Sequence, residues 1–375
     1  MRGYKNNYGS KKERRSILRV IARILFFVVT VISAVALALT LLAPSINPEV
    51  WWVFPILGLV APAVYIVNFA IAMVWLVRWR WRVALPILVL LVLGGTKVSR
   101  FAKIEIGTNY GEQHLKGTVK LLSYNARYFV RDDKQRNTTE YLNYIDSIAP
   151  DIFCLQESMA NEVEKHMPER FKSYNSATNS ELGIYSRFPI LAQSDNVIPD
   201  KEEERRDISK MMWVDLKIYS DTIRLFNTHL VSTSIKLEDD QYLRSREFIA
   251  DSLREDKLTD IISRYKNSTV LRAQHADSLT KVIAESPYSV IVCGDLNDTP
   301  MSYTYSTLSE NLNDAFQECG VGYPYTFRGF MNTLRIDYFL ASGNIVFKSY
   351  TTDTENDFSD HYPIITQFSI TNTKK

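Results

Sequence analysis

Between residues 17 and 95 the chain is apolar almost without interruption, whereas from Gly117 onward short apolar runs alternate with polar turns. The two patterns predict two solvents. Ile17 to Ala43 is long enough for a helix to cross a hydrocarbon core of about 30 Å. Trp51 to Val77 forms a second such run, with Asn68 as its one clearly polar member. Arg78-Trp79-Arg80-Trp81-Arg82 then mixes cations and indoles, a composition suited to a lipid–water boundary. Val83 to Gly95 is a third run and short for a full span. Residues 1–100 therefore read as a membrane region with two to three transmembrane helices. A cleaved signal peptide would carry a shorter apolar segment with no further spans behind it.

In residues 101–375 the period changes. Val119 to Tyr124 predicts a strand ending at Asn125, and Ile152 to Leu155 a strand delivering Gln156 and Glu157. Between them, residues 137 to 148 place Tyr141, Leu142, Tyr144, Ile145 and Ile148 on one helical face. Further strands are predicted at 182 to 185, 211 to 218, 222 to 228, 288 to 293, 335 to 340, 345 to 350 and 364 to 370. Charged, amphipathic sequence between 232 and 286 predicts two helices, over 239 to 255 and 258 to 285, the second interrupted near Asn267. Dominant strands with interspersed helices give an α+β class, a two-layer β-sandwich flanked by helices.

Charge sharpens this division. Residues 1–100 carry 13 Lys and Arg against 2 Asp and Glu, a net of +11; the rest carries 31 against 40, a net of −9. The basic tail (Lys11, Lys12, Arg14, Arg15, Arg19) and the Arg78–Arg82 cluster should face the cytoplasm, and the loop from Pro44 to Val50 outward. Three spans then put the domain outside the cytoplasm, integral to a membrane of the bacterial inner-membrane type; a third run that failed to cross would leave it inside. An acidic domain disfavours sequence-independent capture of a long polyanion, which relies on many Lys and Arg contacts to phosphate. Three cysteines (Cys154, Cys293, Cys319) imply no disulfide framework.

Candidate chemistry sits at strand ends. Tyr124-Asn125, Gln156-Glu157, Asn227-Thr228-His229, Gly294-Asp295-Leu296-Asn297, Ile336-Asp337-Tyr338 and Ser359-Asp360-His361 each close or open a predicted strand with polar side chains. Taken singly, each has an ordinary explanation as a turn former, a helix start or a satisfied polar group. Asp337, with strand on both sides, is an expensive place for a carboxylate without a partner. A carboxylate beside an amide, as in Asp295 and Asn297, suits holding and deprotonating a water, and a distant Asp–His pair suits stabilising a phosphoryl group. Six such motifs together point to hydrolysis of phosphate esters.

These residues resemble the endonuclease/exonuclease/phosphatase superfamily, whose members share the DNase I-like fold, over roughly residues 118–370. The most specific pieces are Gly294-Asp295-Leu296-Asn297 and Ser359-Asp360-His361-Tyr362-Pro363, supported by Asp151 to Glu157, Gly183 to Pro189, Arg335 to Tyr338, and by Arg272 and Gln274. The resemblance implies Glu157 as ligand of a divalent metal, with Asn125 and Asp360 helping to hold it. Mg²⁺ would be the ion, with Mn²⁺ a workable substitute. It implies Asp295 as the group that orients or deprotonates water, and Asn297 as its partner or a phosphate contact. His361, oriented by Asp337, would touch the scissile phosphate, and His229 would be a second contact or a proton donor. Arg127 and Arg187 would bind substrate, and Glu181 is the nearest candidate to orient His229. Arg127 stands where apurinic endonucleases carry an acid, which makes that stretch more like DNase I, although the DNase I disulfides have no counterpart. The substrate, phosphodiester or phosphomonoester, is left between nucleic acid, a lipid head group and a small phosphoester. A scaffold without catalysis would have lost Glu157, Asp295, Asn297 or His361, and all four are present.

Overall fold

The structure is a computed structural model; it describes residues 7–103, 117–131, 135–179, 181–195, 210–233, 242, 254–329 and 332–371. The predicted helix over 239 to 255 lies almost wholly outside these residues.

Among the described residues, twelve strands build two six-stranded sheets. One comprises β1 (Val119–Asn125), β2 (Ile152–Gln156), β3 (Asn175–Thr178), β4 (Gly183–Ser186), β11 (Ile345–Thr352) and β12 (Ile364–Ile370), in the order β11-β12-β1-β2-β4-β3. The other comprises β5 (Ile190–Asp195), β6 (Lys210–Ile218), β7 (Asp221–His229), β8 (Ser289–Asp295), β9 (Asn313–Asp314) and β10 (Asp337–Ala341), in the order β5-β6-β7-β8-β10-β9. Alternate residues of both sheets interleave between them, among them Leu121, Ile152, Cys154, Leu225, Ile291, Cys293 and Phe339. Each outer face is covered by helix. Tyr141, Leu142 and Ile145 of the helix Thr138–Ile148 pack on Leu122, Phe153 and Leu155. Ala276 and Leu279 of the helix Arg254–Ala284 pack on Phe226, Val292 and Leu340. That long helix runs through Asn267 without the expected break.

The parallel pairs position the site. β1 and β2 are parallel with Asn125 opposite Gln156, and β7 and β8 are parallel with His229 opposite Asp295. Four central strands thus end at one edge of the sandwich. The antiparallel β10 starts there too, with Asp337 paired to Asp295.

The apolar region forms helices α1 (Asn7–Leu42), α2 (Phe54–Leu59), α3 (Ala61–Val77) and α4 (Trp81–Leu93). Among the described residues one stretch, Ile17–Ser45, is a helix long and apolar enough to cross a membrane; Ala61–Val77 and Trp81–Leu93 are shorter. The expected second span is broken between α2 and α3, where Val60 leaves helical geometry and Pro62 opens the next helix. Leu37, Ile71, Trp75, Ala84 and Ile87 form the bundle's interior. Asn68, the polar exception, is buried and donates to the Ser33 carbonyl of α1 (3.1 Å). The connector is bolted to the sandwich: Arg100 donates to the Pro300 carbonyl (3.2 Å) and Ser306 Oγ (3.0 Å), and Arg335 donates to the Arg100 carbonyl (3.0 Å).

Candidate active site

At the shared strand edge, Gly294 makes the geometry of β8 possible. Its φ is +124°, and a Cβ there would lie 2.1 Å from the Thr228 carbonyl oxygen, so only glycine fits. Asp295 follows, fully buried. Its Oδ1 accepts from the Asn297 backbone N–H (2.7 Å), and its Oδ2 accepts from Asn297 Nδ2 (3.1 Å) and Asn125 Nδ2 (3.2 Å). Asn297 also donates to the Leu230 carbonyl (2.9 Å), which fixes the amide as a clamp on Asp295.

Non-glycine residues with positive φ gather here: Arg127 (46°), Tyr128 (53°), Phe129 (61°), Glu157 (46°) and Asn297 (51°). Such backbone costs on the order of 1 kcal/mol or more per residue and persists where surroundings enforce it. Enforcement is visible, because the Ala126 and Tyr128 N–H groups donate to the Gln156 (2.8 Å) and Glu157 (2.6 Å) carbonyls, zipping the loops after β1 and β2 together. Glu157 is thereby turned inward, accepting from Asn125 Nδ2 (3.2 Å) and lying 3.5 Å from His229 Nε2.

On the opposite wall His361 Nδ1 bonds Asp337 Oδ2 (3.0 Å), while its Nε2 lies 3.6 Å from Asp295 Oδ2. Thr326 Oγ1 accepts from the Ile336 and Asp337 N–H groups (2.9 and 3.1 Å) and so holds Asp337. Ser359 accepts from the His361 N–H (3.2 Å) and donates to the Asn125 carbonyl (2.8 Å), joining that wall to β1. A cleft of about 150 Å³ lies among Glu157, Asp295, Asn297, Asp360 and His361.

A sequence profile of the Endonuclease/Exonuclease/phosphatase family matches residues 122–361, a span that holds every residue of this constellation. The chain belongs to that family. A profile for a domain of unknown function (DUF8431) matches residues 23–101. No curated protein matches the chain. Among solved structures, an endonuclease/exonuclease/phosphatase family protein from Bacteroides thetaiotaomicron is similar at 16% identity and a TM-score of 0.50, covering 68% of this chain and 98% of its own. A mannosyl-6-phosphatase of the same organism gives 16% and 0.49, covering 67% and 100%. D. rerio TDP2 complexed with a single-strand DNA product gives 17% and 0.46, covering 68% and 100%. At such identity the first of these shows the fold alone.

In this endonuclease/exonuclease/phosphatase family member, burial pushes the Asp295 carboxyl up to about 6, against the pull of His361. Burial alone would lower the His361 imidazole, but the Asp337 and Asp295 carboxylates outweigh it and raise it to about 10. His229 is lowered by burial, which keeps it neutral, and its Nε2 has no hydrogen-bond partner. Burial raises Glu157 despite the Asn125 hydrogen bond. Asp295, Asp337 and His361 offer three ligand atoms within 4.8 Å of one another, a group that could hold a metal. The Nδ1–Asp337 bond leaves His361 Nε2 facing Asp295, and the two carboxylates favour the protonated ring, which must lose that proton before it could ligate. Glu157 is better suited: a hard oxygen donor, desolvated, facing an orphaned ring nitrogen.

Several expectations change. Asn125 turns its Oδ1 to the Arg127 N–H (3.1 Å) and its amide nitrogen to two carboxylates, so it holds Glu157 and Asp295 in place. Arg127 and Asp360 pair at the rim (3.6 Å). Arg187 is far from the cleft. It binds Asp151 Oδ1 (2.8 Å) and Tyr219 (3.0 Å) at the opposite end of β2, roughly 20 Å away by strand rise. Glu181 pairs with Lys210 (2.9 Å) and acts on His229 through its charge. Gln156 and Asn227 stand in the strand-end motifs of the sequence, which assign neither of them a role. Gln156 Nε2 donates to Ser123 Oγ (3.0 Å) and across the sandwich to Asn227 Oδ1 (2.6 Å), locking the two parallel pairs together beneath the cleft. Their place inside apolar strands was the available signal. Arg272, fully buried, donates to Asp298 Oδ2 (3.4 Å) and the Val231 carbonyl (2.9 Å), supporting the cleft floor.

Proposed function

We propose that the chain is a membrane-anchored, divalent-metal-dependent phosphoesterase in which Asp295 activates water and the His361–Asp337 dyad receives the phosphoryl charge. The observation that carries this reading is the meeting, in one cleft, of a buried carboxylate, Asp295, held by two amides, and the imidazole of His361, held by Asp337, 3.6 Å apart. Near neutral pH the first is ionised and able to take a proton, while the second is charged and able to stabilise developing anion. Asn297 and Asn125 hold Asp295 toward the cleft. Water oxygen bonds to phosphorus as the ester P–O bond breaks; the water's proton goes to Asp295, and the leaving oxygen is protonated from solvent. Neutral His229 gives the phosphoryl group a second contact. Glu157, with Asp360 across the cleft, would hold the metal, Mg²⁺ by its preference for hard oxygen donors or Mn²⁺ in its place, and the ion would supply Lewis-acid charge at the phosphoryl oxygens.

Anchorage is supported by the apolar length of Ile17–Ser45. The chain divides into a membrane part to about residue 100 and a catalytic part beyond it. An outward-facing catalytic part is favoured by the cations at both the N-terminal tail and the Arg78–Arg82 turn. The test is hydrolysis of methyl 4-nitrophenyl phosphate by the detergent-purified full chain. Activity should require Mg²⁺ or Mn²⁺, vanish in EDTA, and fall by about 10³-fold in Asp295→Ala. Activity that survives EDTA or that substitution would overturn the proposal.

A further inference from the structure

The catalytic cleft is not built from the sandwich alone. Leu59, the last residue of α2, lines it together with Glu157, Asp295 and His361. The segment carrying Leu59 joins α1 to α3 and is seated on the loop that follows Asp295. A Cβ on Gly58 would lie 2.6 Å from the Met301 carbonyl oxygen, so this approach requires glycine. Gln274 donates to Glu49, and Lys266 lies over the Trp52 ring at 5.6 Å. The neighbouring Pro300 carbonyl of the same loop accepts from Arg100. The apolar region therefore grips the catalytic loop from both of its ends. Within the segment, Val50, Trp51, Val53 and Val60 stay exposed, Trp51 by 62%, and they continue the apolar exterior of α1 and α3. Tryptophan and aliphatic side chains in that setting belong at a lipid–water boundary.

We infer that this segment is the membrane-side wall of the active site and that the substrate is an amphiphilic phosphoester drawn from the bilayer surface. This rests on the phosphoesterase and anchorage readings above and adds the substrate class to them. The cleft, at about 150 Å³, corresponds to about five water volumes. That is room for a phosphoryl group and its ester oxygen, and far less than an acyl or isoprenoid chain occupies. The apolar part would therefore lie outside, where Leu59 at the cleft is followed directly by the exposed Val60 of the same segment. The catalytic part's net charge of −9 disfavours a long polyanion over a single phosphate group delivered by an apolar tail.

Two phosphodiesters that share a 4-nitrophenyl leaving group and differ only in a methyl or hexadecyl second alcohol test this on the full chain in dodecyl maltoside micelles, which contain no phosphate. The wild type should show kcat/KM at least about tenfold higher for the hexadecyl ester, a difference worth less than two buried methylenes. Leu59→Asp should bring the ratio to about one. Trp51→Ala should lower it in the same direction and serves if Leu59→Asp does not fold. A wild-type ratio near one, a ratio unmoved by both substitutions, or plasmid DNA cut with higher kcat/KM than the hexadecyl ester would overturn the inference. In those cases EDTA-sensitive turnover of the methyl ester leaves the phosphoesterase reading standing. Loss of all EDTA-sensitive turnover in the wild type would sink both.

Discussion

Asp337 shows how one side chain sets the chemistry of another. It is buried between β-strand neighbours, donates its backbone N–H to Thr326 Oγ1, and pairs its Oδ2 with His361 Nδ1. The raised imidazole depends on that carboxylate first among the favourable charges. Activity should rise with pH as Asp295 ionises around 6 and fall as His361 loses its proton around 10, giving a plateau between them. Asp337→Asn removes the charge and keeps the shape. His361 should then drift toward an ordinary histidine value of about 6.5. The alkaline limb moves down onto the acid limb, and kcat falls by about 10²-fold at pH 8. A pH profile of kcat/KM checks this; an alkaline limb unmoved by the substitution would remove Asp337 from the dyad.

Among the elements, strands with strong apolar character were legible because their own side chains carry the signal. β1, β2, β7 and β12 lie within a residue or so of the alternation, the first three ending on the polar groups that mark them and β12 following its own. β3 (Asn-Ser-Ala-Thr) and β5 (Ile-Leu-Ala-Gln-Ser-Asp) were not legible, since they are polar and exist through pairing with β4 and β6. The cleft residues were readable as types at strand ends. The direction of the Asn125 amide, the remoteness of Arg187 and the presence of Leu59 were not, because each depends on contacts between distant segments. Arg335, noted only as part of a motif, is another such case. It is buried with Asp314 in a double hydrogen bond (3.0 and 2.7 Å) and reaches the Arg100 carbonyl. Burial alone would raise the Asp314 carboxyl, but the guanidinium outweighs it and holds the group below its ordinary value. A depressed folded-state pKa means that stability is present above the unfolded value of about 3.9 and is lost as pH falls through the lower folded one. Asp314→Asn strands a buried cation and should cost about 3–5 kcal/mol. Thermal unfolding should show a lower Tm for the variant at pH 7, with the gap closing at the most acidic pH.

For the whole molecule, the decisive relation is that both ends of the apolar region meet the same catalytic part. The segment after α1 touches it through Glu49, Trp52 and Gly58, and the segment after α4 through Arg100 and Lys103. The levels agree within the bundle. Tyr65 near the start of α3 donates to Gly94 at the end of α4 (3.2 Å), while Arg78 beyond the end of α3 sits over Phe26 of α1 (5.9 Å). The α3–α4 hairpin therefore goes down and comes back, and its Arg78–Arg82 turn lies opposite the catalytic part. On the proposed anchorage, cations at that turn favour the cytoplasm and would send the catalytic part outward, although neither hairpin arm has the length of a typical span. Alkaline phosphatase, active only outside the cytoplasm, should be active when fused after Phe101 and inactive when fused after Arg80. A fluorescent green fluorescent protein fusion after Phe101, with alkaline phosphatase silent there, would place the cleft inside and require the hairpin to enter the membrane from the cytoplasmic face.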